Sequence, residues 1–130
     1  MQLTRIATND RLSGAMVFGS LVFLSGQVPG EATDIQDQTR EVLAKIDALL
    51  VEAGTDKANI LSATIYLKDI VADFEAMNGV WSAWLPEGCA PTRTTVQALL
   101  ARPSVLVEIT VIAARPEPQP DSQQQEGSNP

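Results

Sequence analysis

The sequence predicts an α+β domain with the element order βββαβαββ. Two segments carry apolar residues at helical spacing, and they stand among six short runs with the period-two pattern of strands. The chain has 130 residues, of which 45% are hydrophobic and 19% charged, and this is enough to bury one core but not two. We therefore expect one folded domain and exclude a two-domain enzyme.

The N-terminal half predicts three strands followed by a long helix. The strands span residues 3–6, 15–18 and 21–27, with Gly19 and Ser20 forming the turn before the third. Residues 33–36 have the form of a capping box that begins at Thr33. Apolar residues then recur at helical spacing until Gly54, which is a typical residue to end a helix.

The C-terminal half predicts a second helix and three more strands. The helix spans residues 71–84, with Phe74, Met77, Trp81 and Trp84 on one stripe. The strands span residues 61–68, 94–100 and 106–113, and we expect the last two to pair antiparallel. Both helices then cover one face of a six-stranded sheet.

The other face of that sheet is predicted to need a cover from outside the chain. The last strand is apolar on both sides, because Val107, Ile109 and Val111 point one way while Leu106 and Ile112 point the other. Two helices cannot cover both faces, and monomers rarely expose an apolar face of this size. A partner subunit is the simplest cover, so we expect an oligomer.

Glu108 and Arg93 are the candidate functional residues. Glu108 shares the uncovered face with Leu106 and Ile112, where a lone carboxylate is costly without a partner. Antiparallel pairing of the last two strands would place Arg93 towards the far end, beyond the position of Glu108, so that the two could line the same cleft. They are either a structural ion pair or rim charge, or a site in which Arg93 clamps a substrate carboxylate and Glu108 moves protons.

Composition excludes several kinds of site. The chain has no histidine, which excludes Ser-His-Asp triads, Cys-His dyads and HExxH zinc sites. Its one cysteine excludes an intrachain disulfide and a thiolate metal cluster. The net charge of −7 with scattered basic residues argues against nucleic acid as a partner. Acid-base chemistry must therefore use carboxylates, backbone groups or water.

Two expectations concern location and the C-terminus. The longest wholly apolar run has four residues, 21–24, so we expect no membrane partner and a cytoplasmic protein. Residues 116–130 are rich in Pro, Gln and Ser and lack aliphatic and aromatic side chains. Such a segment cannot offset its ordering entropy, so we predict a disordered tail after a folded domain of residues 1–115.

Short motifs along residues 1–115 give the chain a family resemblance. It resembles the RidA family of reactive intermediate deaminases in the order and spacing of these motifs. They are Ser25 to Pro29, Gln38 and Thr39, Ala53 and Gly54, Phe74 and Asn78, Ala90 to Arg93, and Val107 to Ile109.

The resemblance implies a fold and an activity. The fold is a chorismate-mutase-like α+β sandwich with a mixed sheet, assembled as a homotrimer whose sheets form a central barrel with ligand clefts between subunits. The activity is the hydrolysis of reactive enamines and imines, such as 2-aminoacrylate and other 2-imino acids, to 2-oxo acids and ammonia. No metal or organic cofactor is implied.

The resemblance also assigns roles to residues. Arg93 matches the arginine that holds the substrate carboxylate, and Glu108 matches the glutamate beside the attacking water. Ser25, with Gly26 next to it, and Asn78 match other positions of the cleft. Ser25 has the alternative role of ending a strand, and Asn78 that of a hydrogen bond within its helix.

Two positions depart from the family pattern. Leu12 stands where many members have a tyrosine whose hydroxyl borders the cleft, and Thr95 stands where several have a cysteine. Both changes bear on the identity of the substrate. The competing function is a non-catalytic trimeric binder of small carboxylates or ketoacids. Glu108 discriminates between the two functions, because an anion-binding pocket gains nothing from a second negative charge.

Overall fold

The structure, a computed structural model, describes residues 2–116 and has the predicted element order. The strands are β1 (Leu3–Thr8), β2 (Ser13–Phe18), β3 (Leu21–Leu24), β4 (Ile60–Leu67), β5 (Thr92–Gln97) and β6 (Val107–Ala114), and the helices are α1 (Ile35–Glu52) and α2 (Ile70–Trp84). A single 3-10 turn, Lys57–Asn59, precedes β4. The third strand ends three residues earlier than predicted, so Ser25 and Gly26 lie in the segment that follows it.

The six strands form one mixed sheet in the order β1-β2-β3-β6-β4-β5. The expected antiparallel pairing of residues 94–100 with 106–113 is wrong, because β4 lies between β5 and β6. Strand β5 pairs with β4 in parallel, and every other pair is antiparallel. The cause is α2, which carries the chain back along the sheet so that β4, α2 and β5 form a parallel crossover unit.

Aspartates begin both helices. Asp34 is the N-cap of α1 and its side chain accepts a hydrogen bond from the Asp37 N–H, so the predicted start of the cap at Thr33 is one residue too early. Asp69 caps α2 in the same way through the Ala72 N–H. Gly54 follows the last turn of α1 with φ of 90°, the left-handed conformation expected of a residue that ends a helix.

The two helices cover one face of the sheet and leave the other open. On the covered face, Ile46 and Leu50 of α1 and Met77 of α2 have no exposed surface, and neither has Val107 or Ile109 of β6. The open face carries the alternate residues of each strand, among them Leu3, Phe18, Leu21 and Phe23, which are 36–49% exposed. The core of residues 2–116 therefore lies between the sheet and the helices, as the two-sided pattern of β6 predicted.

Two further predictions concern a membrane and the C-terminal tail. No helix among residues 2–116 is long and apolar enough to span a membrane. The predicted tail lies outside the described residues from position 117 onward.

Candidate functional site

Arg93 lies on β5 at the edge of the sheet, facing α2. Its Nη1 donates a hydrogen bond of 2.7 Å to Oδ1 of Asn78. Its guanidinium carbon is 5.8 Å from the ring centroids of both Phe74 and Trp81, within the range of cation–π attraction. Helix α2 supplies all three contacts, since residues 74, 78 and 81 recur at helical spacing on the side that meets β5. These residues and Thr95 are called the arginine cluster below.

Among residues 2–116, the guanidinium of Arg93 has no carboxylate partner. The one salt bridge among residues 2–116 joins Arg40 to Asp37 on the exposed side of α1. Partial burial lowers the pKa of Arg93, because desolvation disfavours the charged form. An arginine remains charged even so, and the hydrogen bond to Asn78 uses one of its five N–H groups. A half-buried cation with free donors is therefore held at the sheet edge.

Thr95 lies two residues beyond Arg93, on the same side of β5. Its Oγ1 is buried and has no hydrogen-bond partner among the described residues. Leaving a buried hydroxyl without a hydrogen bond costs free energy. Thr95 therefore places next to Arg93 a polar group for which the described residues supply no hydrogen-bond partner.

Glu108 lies on the open face of the sheet, in a cavity of about 370 Å³. Glu108, Gly26, Tyr66 and Thr110 line this cavity together with the apolar residues 98–100. Tyr66 of β4 is directly opposite Glu108 of β6 in the antiparallel ladder. These four residues are called the glutamate cluster, and the space they share the glutamate cavity.

Gly26 is the close neighbour of the Glu108 carboxylate. A Cβ atom added at position 26 would overlap Oε2 of Glu108, and its next two contacts, Cδ and Cγ of Glu108, would lie at 3.0 and 3.2 Å. A side chain at position 26 would therefore displace the Glu108 carboxylate, and this close approach, not a left-handed φ, is what favours glycine here. The segment that follows β3 thus forms one wall of the glutamate cavity.

Ser25 and Leu12 lie on the neighbouring side of the same wall. The hydroxyl of Ser25 donates a hydrogen bond of 2.6 Å to the carbonyl oxygen of Ser13, which ties the end of β3 to β2. Leu12 and Ser25 share a second cavity of about 420 Å³ with Gly26 and with residues of α1. The structure therefore gives Ser25 a structural bond and places Leu12 next to it, half-exposed.

The two clusters lie on opposite faces of the sheet. Arg93 pairs with Ala63, which pairs with Val111, and both of these are buried under the helices. Glu108 pairs instead with Tyr66 on the open face. Because β4 also separates the two strands, one chain does not bring the Arg93 guanidinium and the Glu108 carboxylate to the same small ligand.

Sequence reasoning missed Tyr66, Phe74 and Trp81 as parts of the site. Phe74 and Trp81 were assigned to an apolar stripe, whereas they also flank the guanidinium. The alternation along β4 was the available signal for Tyr66, since it places that residue on the face opposite Ile65 and Leu67. Among residues 2–116, no three His, Cys, Asp or Glu side chains are grouped so that they could hold a metal ion.

Comparisons with known proteins match nearly the whole described chain. The family model described as Endoribonuclease L-PSP matches residues 2–115. The RutC family protein YoaB of Escherichia coli is 41% identical over 114 residues, covering 88% of this chain and 99% of that protein. A putative reactive intermediate deaminase of Escherichia coli, TdcF, is 38% identical over 105 residues, covering 75% and 81%. The crystal structure of NMB1025 from Neisseria meningitidis, a member of the YjgF protein family, has a TM-score of 0.88 at 44% identity and covers 91% of this chain and 98% of its own.

Proposed function

Because the chain belongs to the Endoribonuclease L-PSP family, which also contains RutC and YjgF proteins, we propose that it hydrolyses small reactive 2-imino acids and enamines to 2-oxo acids and ammonia. One relative at 38% identity is named a putative reactive intermediate deaminase. The proposed substrates are of the 2-aminoacrylate type, and the reaction takes place in clefts between copies of the chain.

The guanidinium of Arg93, which has no carboxylate partner within residues 2–116, is the observation that carries the proposal. Asn78 and two aromatic rings fix the guanidinium, and its remaining N–H groups are free to bind a carboxylate with two parallel hydrogen bonds. A 2-imino acid carries its carboxylate next to the reactive carbon. Binding the carboxylate at Arg93 therefore sets the position of the carbon that water attacks.

Glu108 supplies the proton acceptor for the attacking water. Its carboxylate lines a cavity large enough for a small substrate, and Gly26 leaves it room. A carboxylate within hydrogen-bond reach of a water molecule removes a proton as the oxygen attacks, which is general base catalysis. The same carboxylate would weaken a pocket built only to bind anions, so it favours turnover over simple binding.

The separation of the clusters leads to a proposal about assembly. Since Arg93 and Glu108 lie on opposite faces of one sheet, one copy supplies the arginine cluster of a cleft and a second copy supplies the glutamate cluster. The open apolar face is the surface on which copies pack, and we expect three copies arranged around a central barrel.

The description of the family model names an endoribonuclease. This chain has a net charge of −7, and its nine basic residues are scattered along the sequence. Proteins that bind RNA contact its phosphates with positive surfaces, so this composition favours a small-molecule substrate over RNA.

The proposed reaction is tested by following the decay of enzymatically generated 2-aminoacrylate with and without the protein. We expect acceleration by wild type and its loss in Arg93→Ala. Arg93→Lys should fail almost as badly, by roughly 10- to 100-fold in kcat/KM, because an ammonium cannot reproduce two hydrogen bonds to one carboxylate. Arg40→Ala, which removes another arginine bonded to a neighbouring side chain, is the matched control and should keep full activity.

Glu108→Gln separates turnover from binding. The amide keeps the shape of the side chain and removes the proton acceptor, so turnover should fall by roughly 10² to 10⁴ while binding of a stable 2-oxo acid is retained. Equal turnover by this variant and wild type would remove Glu108 from the mechanism. No acceleration of any imine by wild type, together with retained binding, would favour the non-catalytic binder.

Co-expression of two inactive variants tests which copies supply the site. In trimers formed at random from Arg93→Ala and Glu108→Gln chains, about one quarter of the clefts receive both an intact arginine and an intact glutamate. We expect that fraction of wild-type activity to return. Trimers of either variant alone are the control and should stay inactive. No recovery on mixing would contradict a cleft shared between copies.

A further inference from the structure

The glutamate cavity contains a hydroxyl group that the reaction described above does not use. Tyr66, the one tyrosine of the chain, lines the cavity with Glu108. The two residues are directly opposite each other in the β4–β6 ladder and lie on the same face of the sheet. In antiparallel pairs, the Cβ atoms of such residues are about 4.5 to 5.5 Å apart, so their side chains are immediate neighbours.

The other polar groups around the cavity have no free side-chain proton to donate. The hydroxyl of Thr110 already donates to the carbonyl oxygen of Leu24 at 2.8 Å. The hydroxyl of Ser25, at the adjoining wall, donates to the carbonyl oxygen of Ser13. A carboxylate only accepts hydrogen bonds, and the remaining lining side chains are apolar. Tyr66 is thus the available side-chain donor that the copy carrying Glu108 contributes to this cavity.

Hydrolysis of an imine needs a donor as well as an acceptor. When water adds to the C=N bond, its oxygen bonds to carbon, one of its protons leaves, and the nitrogen gains a proton. When the C–N bond later breaks, the hydroxyl proton leaves and the nitrogen gains a second proton, so that it departs as ammonia. Each step therefore removes one proton from oxygen and adds one to nitrogen.

We propose that Tyr66 is the general acid that protonates the substrate nitrogen, while Glu108 is the base. This assignment rests on the proposed imine hydrolysis. In each step Glu108 accepts the proton from oxygen and Tyr66 gives its phenolic proton to nitrogen. The proton on Glu108 then passes to the phenolate of Tyr66, so both groups are restored and no other reactant is needed. Direct cross-strand pairing provides the short path for that return.

Tyr66→Phe is the main test, because it removes the hydroxyl and keeps the ring that packs on the open face. The imine that is hydrolysed is 2-iminopropanoate, which forms from 2-aminoacrylate when the methylene carbon gains a proton from water and the nitrogen loses one. We expect kcat for its hydrolysis to fall by roughly 10² or more, with KM and the affinity for a 2-oxo acid changed less than about threefold. Thr64→Val is the matched control, since it removes a hydroxyl from the same face of the same strand at a position that does not line the cavity. It should leave kcat unchanged.

A second measurement does not depend on turnover. Because Tyr66 is the one tyrosine, growth with 3-fluorotyrosine labels this side chain alone and gives a single fluorine resonance. We expect pyruvate, as a 2-oxo acid probe, to shift that resonance in wild type and to leave it unmoved in an Arg93→Ala background. An unmoved resonance in both proteins would place Tyr66 outside the ligand site and overturn the proposal.

The outcomes distinguish this inference from the function on which it rests. Acceleration by wild type and an equal rate in Tyr66→Phe would overturn the role of Tyr66 and leave imine hydrolysis intact. No acceleration by wild type would overturn both. If Tyr66→Phe failed to fold, the fluorine resonance of the labelled wild type would still decide whether the ring contacts the ligand.

Discussion

The side chains on the two faces of strand β6 differ in how fully the rest of the chain buries them. Toward the helices, Val107, Ile109 and Val111 are at most 1% exposed. Toward the other side, Ile112 is partly exposed and its neighbour on β3, Phe23, is 39% exposed. The covered face is part of a fully buried core, whereas the open face has solvent-exposed apolar side chains and also carries Glu108. The helices therefore complete the core, and in the proposed assembly the open face is the surface for association and for half of each cleft.

The largest expected effect comes from placing a charge on the open face. Phe23→Lys puts an ammonium in each copy where copies pack, and burying it unpaired costs several kcal/mol. We expect wild type to sediment as a trimer and this variant as a monomer. Val71→Lys on α2, where the side chain is 92% exposed, is the control and should remain a trimer. A wild-type protein that is monomeric at micromolar concentration would contradict the prediction that copies pack on the open face.

Truncation of isoleucines on the two faces of β6 gives the next largest effect. Ile109→Ala removes buried side-chain volume from the fully buried core and should lower the free energy of unfolding by about 3 to 4 kcal/mol at any protein concentration. Ile112→Ala should cost about 1 kcal/mol, and that cost should depend on concentration because it arises in association. Urea denaturation at several concentrations measures both. Equal, concentration-independent losses would show that both faces are completed within one chain.

Gly26→Ala should affect the site more than the fold. The added methyl group would displace the Glu108 carboxylate, and a shift of about 1 Å in a catalytic group can cost about 10²-fold in turnover. The melting temperature should change much less. Gly30→Ala is the control, since the nearest atom to its added Cβ, Oε1 of Glu41, is 3.8 Å away. Turnover unaffected by Gly26→Ala would mean that the position of Glu108 is not critical.

The smallest expected effect is a gain in stability on the helix side. Gly79 lies within α2, and an added Cβ there would have no atom within 4 Å. Gly79→Ala should therefore raise the free energy of unfolding by about 0.5 to 1 kcal/mol through helix propensity alone. Turnover should not change, because Gly79 lines the groove between the two helices, whereas its neighbour Asn78 faces β5 and bonds Arg93. A loss of stability or turnover would assign a role to the shallow groove that Gly79 lines between the helices.

Much of the fold follows from patterns within single segments. Period-two alternation predicted all six strands, and helical spacing predicted both helices to within a few residues. The two-sided apolar pattern of residues 106–113 also predicted a face that the chain leaves uncovered. The pairing of β5 is different, because pairing depends on contacts between segments. Chain order suggested β6 as its neighbour, whereas the helix between β4 and β5 favours a parallel crossover to β4.

The pairing of β5 with β4 also explains why the residue types of the site could be predicted from the sequence but their relative positions could not. Arg93 and Glu108 were singled out from their residue types and their apolar neighbours. Whether their side chains share a face depends on register, which the sequence does not state. Likewise, the close approach to Gly26 comes from Glu108, which is 82 positions away in the chain and is brought near it by the β3–β6 pairing and the bridge between Gln27 and Ile109.

The position of β6 in the sheet has a consequence for folding during synthesis. It is the last strand among residues 2–116, yet it lies between β3 and β4 and joins the antiparallel β1-β2-β3 unit to the β4-α2-β5 unit. Until residues 107–114 have left the ribosome, each unit has an unpaired strand edge and the sheet cannot form. Folding therefore waits for the C-terminal strand, and a chain that stops before it has two exposed edges open to wrong pairing with other chains.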